Sequence, residues 1–266
     1  MIRTRIPSVV LFFLLSAVLL KAAELRQSTL SAWDAYISNV NTSVAEDNAG
    51  GRPFLWVDES LEAQRRVRNG ELLIINRDPR KVPHGLIHHW LGVMFIPNVS
   101  LDQVMRVLNS YDRYSEMFKP LIRKVSVVKQ SGDAVELKVI AVQKAFSVTA
   151  AVETDEEVQI ARPAPNRVCI TANSVGIQEI ADYGQPSEHV FSAARRPGYV
   201  WRALIVQRIE QRDGGVYVEL ETISLSRGIP MEVRWLIKPL TDDLPRKIMA
   251  DLLDETRAAV QGSVAR

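Results

Sequence analysis

The sequence predicts an α+β fold, a curved antiparallel β-sheet wrapped around one long C-terminal α-helix. Three observations predict it. Residues 212–215 read Arg-Asp-Gly-Gly between two strand-like runs, 199–211 and 216–226, and Asp-Gly and Gly-Gly accept the positive φ angles of a tight hairpin turn. Strand-like segments follow one another from 121 to 226 with short turns between them, which makes antiparallel pairing the default. Residues 244–260 then place Leu244, Ile248, Leu252, Thr256 and Val260 on one helical face, with Met249, Leu253 and Ala259 beside them. A long sheet curls, and its concave side is the surface on which such a helix buries its apolar face. A cavity between sheet and helix is the expected result.

The elements follow in chain order. Residues 1–23 (MIRTRIPSVVLFFLLSAVLLKAA) begin with Arg3 and Arg5, continue in an apolar run from Ile6 to Leu20 and end on Lys21, Ala22 and Ala23. This is the pattern of a secretory signal peptide, and the run is short for a bilayer-spanning helix, which needs about 20 apolar residues. The reading is therefore an exported protein, periplasmic or secreted. An uncleaved anchor is the alternative, because Lys21 or Leu20 occupies the position three before the possible cuts. With the leader removed, no stable membrane insertion is expected.

Residues 24–82 read as a lead-in that packs on the main domain. Leu25, Leu30, Trp33, Ile37 and Val40 recur at helical spacing over 24–40. Residues 41–52 read as a polar loop, 53–57 (PFLWV) as an apolar patch, 59–69 as a charged helix stopped at Gly70, 71–76 as a strand, and 77–83 as a polar connector with two prolines. The main domain spans 83–262. It opens with a strand at 86–96, ended by Pro97 and Asn98. A helix follows, capped by Ser100 or Asn98, with Leu101, Val104, Val107 and Leu108 apolar and Asp102 in its first turn. A second short helical stretch covers 111–118. Strands are expected at 121–129, 135–142, 146–154 (extended by 158–161), 168–177 with a short 178–183, and the two arms of the hairpin. Residues 184–197 read as a long polar loop. Asp242 and Asp243 stand at the start of the last helix, with Pro245 in its first turn.

Composition limits function more than it reveals it. The chain has 266 residues, 33 Lys and Arg against 31 Asp and Glu, and 47% hydrophobic residues. These are ordinary values for a globular protein and exclude a disordered, collagen-like or rod-like chain. The one cysteine, Cys169, cannot form an internal disulfide and sits in an apolar run with no catalytic His or Asn motif, so it reads as a buried thiol. The net charge of +2 gives no basic domain for nucleic acid. Setting aside 1–23, which hold Arg3, Arg5 and Lys21 and no acidic residue, takes that charge to −1.

The order of elements over roughly 83–262 resembles the helix-grip fold of the START-like superfamily, which includes lipid-transfer domains, polyketide cyclase relatives and the birch-pollen-allergen family. The stretches PFLWV (53–57), GLIHHWLGVMFIPN (85–98), YDRY (111–114), GYVWR (198–202) and GGVYVELETISLSRGIP (214–230) look like those of uncharacterised exported bacterial proteins of that superfamily. The resemblance implies a hydrophobic pocket and does not name what fills it.

Candidate site residues come from the strand alternation. With Asp213 and Gly214 as the turn, Arg208 faces Glu219, Val206 faces Glu221, Gln207 faces Leu220 and Ile205 faces Thr222. One face then carries Trp201, Ala203, Ile205, Gln207, Val218, Leu220, Thr222 and Ser224. This mostly apolar surface with a few polar handles suits a pocket wall, and equally an ordinary core. The other carries Arg202, Arg208, Glu219 and Glu221, the pattern of a solvated cross-strand ladder. His88, Trp90 and Met94 share a face of the first strand, and His88 there is either pocket-lining or structural. Tyr111 and Tyr114 sit on the short helices at the expected pocket mouth, as gate or as packing. His84, His88 and His89 do not converge: His88 and His89 point to opposite faces of a strand. No nucleophile-elbow motif surrounds Ser224, Ser226 or His189. The reading therefore calls for no metal, no cofactor and no catalytic residue. It expects a protein that binds an apolar small molecule or lipid. The alternatives are a cyclase- or aromatase-like enzyme using Arg202, His88 or a tyrosine as acid or base, and a ligand-free interaction module displaying an apolar patch such as 53–57.

Overall fold

A computed structural model describes residues 25–145, 148–191, 200–228 and 244–264. The leader at 1–23, the end of the 184–197 loop and the acidic pair Asp242 and Asp243 lie outside the described residues. Among the described residues nine strands form one antiparallel sheet: β1 (Leu73–Val82), β2 (Gly85–Pro97), β3 (Ile122–Ser131), β4 (Ala134–Ala145), β5 (Val148–Ala164), β6 (Arg167–Ala181), β7 (His189–Val190), β8 (Val200–Arg212) and β9 (Gly215–Arg227). Their spatial order is β1-β2-β9-β8-β6-β5-β4-β3, with β7 paired to β6. The helices are α1 (Gln27–Asn48), α2 (Leu61–Arg68), α3 (Leu101–Leu108), α4 (Tyr114–Met117) and α5 (Leu244–Val264), with 3-10 turns at Trp56–Glu59 and Tyr111–Arg113. Among the described residues no helix is long and apolar enough to cross a membrane.

The hairpin forms on Asp213 (φ 57°) and Gly214 (φ 79°). It sets the expected register of Arg208 on Glu219, Val206 on Glu221, Gln207 on Leu220 and Ile205 on Thr222. Ser100 caps α3 with its hydroxyl while Gln103 reaches back to the Ser100 N–H, a reciprocal capping box.

Several elements depart from the sequence reading, each for a local reason. Helix α1 runs through the expected polar loop to Asn48, because Val44 and Asp47 are buried and tertiary contact overrides weak helix propensity. The expected connector at 77–83 is the second half of edge strand β1. Its pairing slips between Arg77 and Arg80, around Pro79, and an edge-strand bulge is where a residue without an N–H is tolerated. β5 and β6 are each continuous, and a bulge at Val175 carries β6 past the expected break.

Around β2, β8 and β9 the sheet is buried on both faces. On the inner face, Met94, Ile96, Leu137, Val158, Ile170, Ile209 and Val218 pack with Leu101, Val104 and Leu108 of α3 and with Met249, Leu253 and Val260 of α5. On the outer face, Ile87, Val93, Phe95, Cys169, Leu204, Val206, Tyr217, Ile223 and Leu225 lie under Trp33 and Val44 of α1, the segment Phe54, Leu55 and Val57, and Ala63 and Val67 of α2. The 53–57 segment is thus buried core, not a displayed apolar patch. Gly92 of β2 faces α5: a Cβ there would stand 2.7 Å from both Leu253 Cδ1 and Met249 Sδ, so those side chains would have to shift.

Candidate functional site

The register resolves the inner face into rows that cross the sheet. The row nearest the Asp213–Gly214 turn is Val168, Ile209, Val218 and Met94, all buried and all apolar. The next is Ile160, Ile170, Gln207, Leu220 and Gly92. Then come Val158, Ala172, Ile205, Thr222 and Trp90. The last is Glu156, Ser174, Ala203, Ser224 and His88. Polarity therefore rises steadily from the turn end to the opposite end of the same face.

Accessibility follows the same gradient. Ala172, Ala203, Ile205, Gln207, Thr222, Ser224 and Glu156 are half-buried, whereas Leu204, Val206, Glu221, Ile223 and Leu225, which alternate with them on β8 and β9, are buried under the lead-in. The side chains of Gln207, Thr222 and Ser224 make no hydrogen bond within the described residues. Trp90 is 6% exposed and its indole N–H has no acceptor among them. A buried donor left unpaired costs about 1–3 kcal/mol, so this wall holds unused hydrogen-bonding capacity. His88 is buried and its Nε2 lies 2.8 Å from Ser226 Oγ, which fixes the ring against the sheet.

Strand alternation places eight of the expected wall residues on this face, His88, Trp90, Met94, Ile205, Gln207, Leu220, Thr222 and Ser224, and the short helices bring Tyr111 and Tyr114 to the same side. Met94 is fully enclosed in its apolar end. Trp201 is elsewhere. The β8–β9 register slips between Val200 and Arg202, so Trp201 is an inserted residue and its ring packs in the outer cluster under Arg227. Arg202 donates from Nη1 to the Trp201 carbonyl, at 3.0 Å. Tyr111 is buried in the inner cluster, edge-on to Tyr114 with ring centroids 5.5 Å apart, and the Tyr114 hydroxyl donates to the Leu108 carbonyl. Burial pushes the Tyr114 phenol above its ordinary range, and Tyr111 and Glu156 push it further.

Glu156 is the inner-face residue that sequence reasoning missed. It sits among acidic residues, Glu153 to Glu157, between the expected strand at 146–154 and its extension at 158–161. Alternation with Val158 and Ile160 was the available signal. Thr154 Oγ1 donates to Glu156 Oε1 at 3.0 Å, and burial raises the carboxyl above its usual range against that bond. Among the described residues no group of His, Cys, Asp and Glu side chains is arranged to hold a metal ion.

The expected solvated ladder is instead a buried ionic network on the outer face. Arg208 is 5% exposed and Glu219 1%. Arg208 Nη1 donates to Glu219 Oε1 (3.1 Å) and Glu221 Oε2 (2.7 Å), and its Nη2 donates to Asp47 Oδ2 of α1 (3.2 Å). The Trp56 backbone N–H donates to Glu219 Oε2 at 2.7 Å, and His89 Nε2 lies 2.6 Å from Glu221 Oε1. Tyr36 OH lies 2.7 Å from the other ring nitrogen of His89. The cover supplied by α1 and the 53–57 segment turns a surface-type pattern into an interior one. Burial pushes Glu219 up to about 7, although Arg208 and the Trp56 N–H pull the other way. Burial also acts to raise Glu221, but the His89 and Arg208 hydrogen bonds outweigh it and hold the carboxyl at about 2.

These shifts have opposite signs in stability. Glu219, raised above its ordinary 4.5, contributes fully below pH 4.5 and loses that contribution as pH rises through about 7. Glu221, depressed below 4.5, contributes above pH 4.5 and loses it as pH falls toward about 2. Glu219→Gln is expected to flatten the decline in urea midpoint between about pH 4.5 and 7 while leaving the acid limb in place. An unchanged decline in that variant would show that Glu219 does not set it.

A nine-stranded antiparallel sheet, two short helices between its second and third strands, and a C-terminal helix seated on its inner face are now all in place. The fold is an α+β helix grip. No family model matches the chain, and no curated protein matches it. Solved structures similar to it include an aromatase/cyclase from Streptomyces sp. R1128, at 11% identity over 67% of this chain and 96% of that one, TM-score 0.48. A STAR-related lipid transfer protein from Xanthomonas axonopodis is 13% identical over 71% of this chain and 98% of that one, TM-score 0.44. A protein from Thermus thermophilus is 16% identical over 65% of this chain and 97% of that one, TM-score 0.44. The lead-in that covers the outer face of this helix grip carries Asp47, one of the three carboxylates on Arg208.

Proposed function

We propose that this protein binds an apolar small molecule or lipid on the inner face of the sheet, beside the C-terminal helix, without catalysis. We further propose that it acts outside the cytoplasm after losing residues 1–23. The observation that carries the reading is the half-open strip of Ala172, Ala203, Ile205, Gln207, Thr222 and Ser224. It is an apolar wall whose few polar groups are unpaired among the described residues, on a sheet whose other face is covered at β8 and β9 by the lead-in. The test is native mass spectrometry and solvent extraction of the protein made with its leader. The expected result is a chain lacking the leader and a stoichiometric apolar species. A protein that carries nothing and takes up no Nile red would overturn the binding reading, and a full-length mass would overturn the processing.

Glu156 supports a second reading, a cyclase-like enzyme that folds a flexible substrate on the same wall, because a buried carboxyl with a raised pKa is suited to general-acid work. On that reading Glu156→Gln abolishes turnover of a bound polyketone while leaving its binding intact.

A further inference from the structure

We propose that the ligand is an amphiphile with one neutral oxygen-bearing end, a hydroxyl or an unionised carbonyl. Its apolar body lies toward the Gln207 and Leu220 row, and its polar end lies in the row of Glu156, Ser174, Ser224 and His88. This rests on the binding reading above and specifies the chemistry of the occupant.

The gradient gives the orientation. The row Val168, Ile209, Val218 and Met94 offers no polar side chain and is closed. The row Glu156, Ser174, Ala203, Ser224 and His88 offers a carboxyl, two hydroxyls and an imidazole, and its β5, β8 and β9 members are half-buried. Between them, Thr222 stands directly across from Trp90, whose enclosed N–H lacks an acceptor among the described residues. A molecule bringing an oxygen to this end would meet hydroxyls without partners among those residues.

The same row selects against ions. No lysine or arginine belongs to these four rows. An anionic end would enter a desolvated site beside Glu156 with no cation in these rows to pair it, and the cost of an unpaired buried charge is far above that of an unpaired hydroxyl. A cationic end would find one carboxyl, already bonded by Thr154 and pushed by burial toward its neutral form. A neutral donor-acceptor suits hydroxyl, imidazole and carboxyl together, whatever the charge on Glu156.

The experiment is displacement of Nile red from the full processed chain by dodecanol, dodecanoate and dodecylammonium at pH 7.5. Dodecanol is expected to displace the dye at a concentration about tenfold lower than either ion. Glu156→Gln is expected to narrow the gap between dodecanol and dodecanoate, because it replaces an ionisable group by a neutral one of the same shape. The double variant Thr222→Val, Ser224→Ala, isosteric or smaller at both positions, is expected to erase the dodecanol advantage while still taking up the dye. Equal displacement by all three, preference for either ion, or a preference untouched by both variants would overturn the assignment of the polar end while leaving apolar binding intact. Absence of dye uptake by the wild-type chain would overturn the binding reading itself, and this inference with it.

Discussion

Arg208→Met is expected to destabilise the protein by about 3–5 kcal/mol, because it removes the one guanidinium shared by three buried carboxylates. Methionine fills similar volume without charge, so lost packing contributes little. The loss comes from Asp47, Glu219 and Glu221 facing one another in a desolvated space. Asp47 belongs to α1 and the two glutamates to β9, so repulsion acts across the seam between the lead-in and the sheet. The measurement is a urea unfolding curve, supported by limited proteolysis, in which residues 27–68 are expected to be cut first. A variant within about 1 kcal/mol of wild type would mean that the network is not a unit and that the apolar contacts of Trp33, Val44 and Phe54 alone hold the cover.

Gly92→Val is the second large effect, expected at about 1–3 kcal/mol from overpacking, with the damage concentrated in α5. The new Cβ meets Leu253 Cδ1 and Met249 Sδ at 2.7 Å before its methyl groups are counted. Both neighbours are buried, so relief requires repacking their side chains or shifting the helix on β2. Hydrogen exchange is the direct readout: amides of α5 are expected to lose protection while those of the β8–β9 hairpin keep theirs. Adding Met249→Ala to Gly92→Val is expected to recover part of the loss, although Met249→Ala alone destabilises, because the two side chains compete for one space. Additive losses in the double variant would show that the helix does not rest on Gly92.

The register of the inner wall was legible because one turn fixed it. Asp213 and Gly214 set the pairing of β8 and β9, and strand alternation then assigned Ile205, Gln207, Leu220, Thr222 and Ser224 to one face. Trp201 was misplaced because a bulge inverts the alternation, and bulges carry no reliable sequence mark at such a site. The charged face was misread for a different reason. Arg208, Glu219 and Glu221 look the same in sequence whether the face is wet or covered. What covers it is the second half of α1, whose Asn41, Thr42 and Ser43 favour loops and whose helical state depends on burying Val44 and Asp47. Glu156 was lost among its acidic neighbours, because a local charge run hides a period-2 pattern. The missing information was long-range contact for the charged face, an unmarked bulge for Trp201 and an alternation hidden by neighbouring charges for Glu156.

The pairing of β2 with β9 joins residues from opposite ends of the domain, and the outer cover repeats this span, since Asp47 meets Arg208. Synthesis delivers the chain from its N-terminus. Helix α1 is therefore made early, while the strands that receive it come near the end. Until β8 and β9 arrive, only the β1 and β2 part of the cluster that buries Trp33, Phe54 and Leu55 is in place, and Asp47 lacks its Arg208 partner. The N-terminal segment therefore waits on the last strands for its complete burial. A product truncated before residue 208 would leave it exposed, a ready mark for degradation.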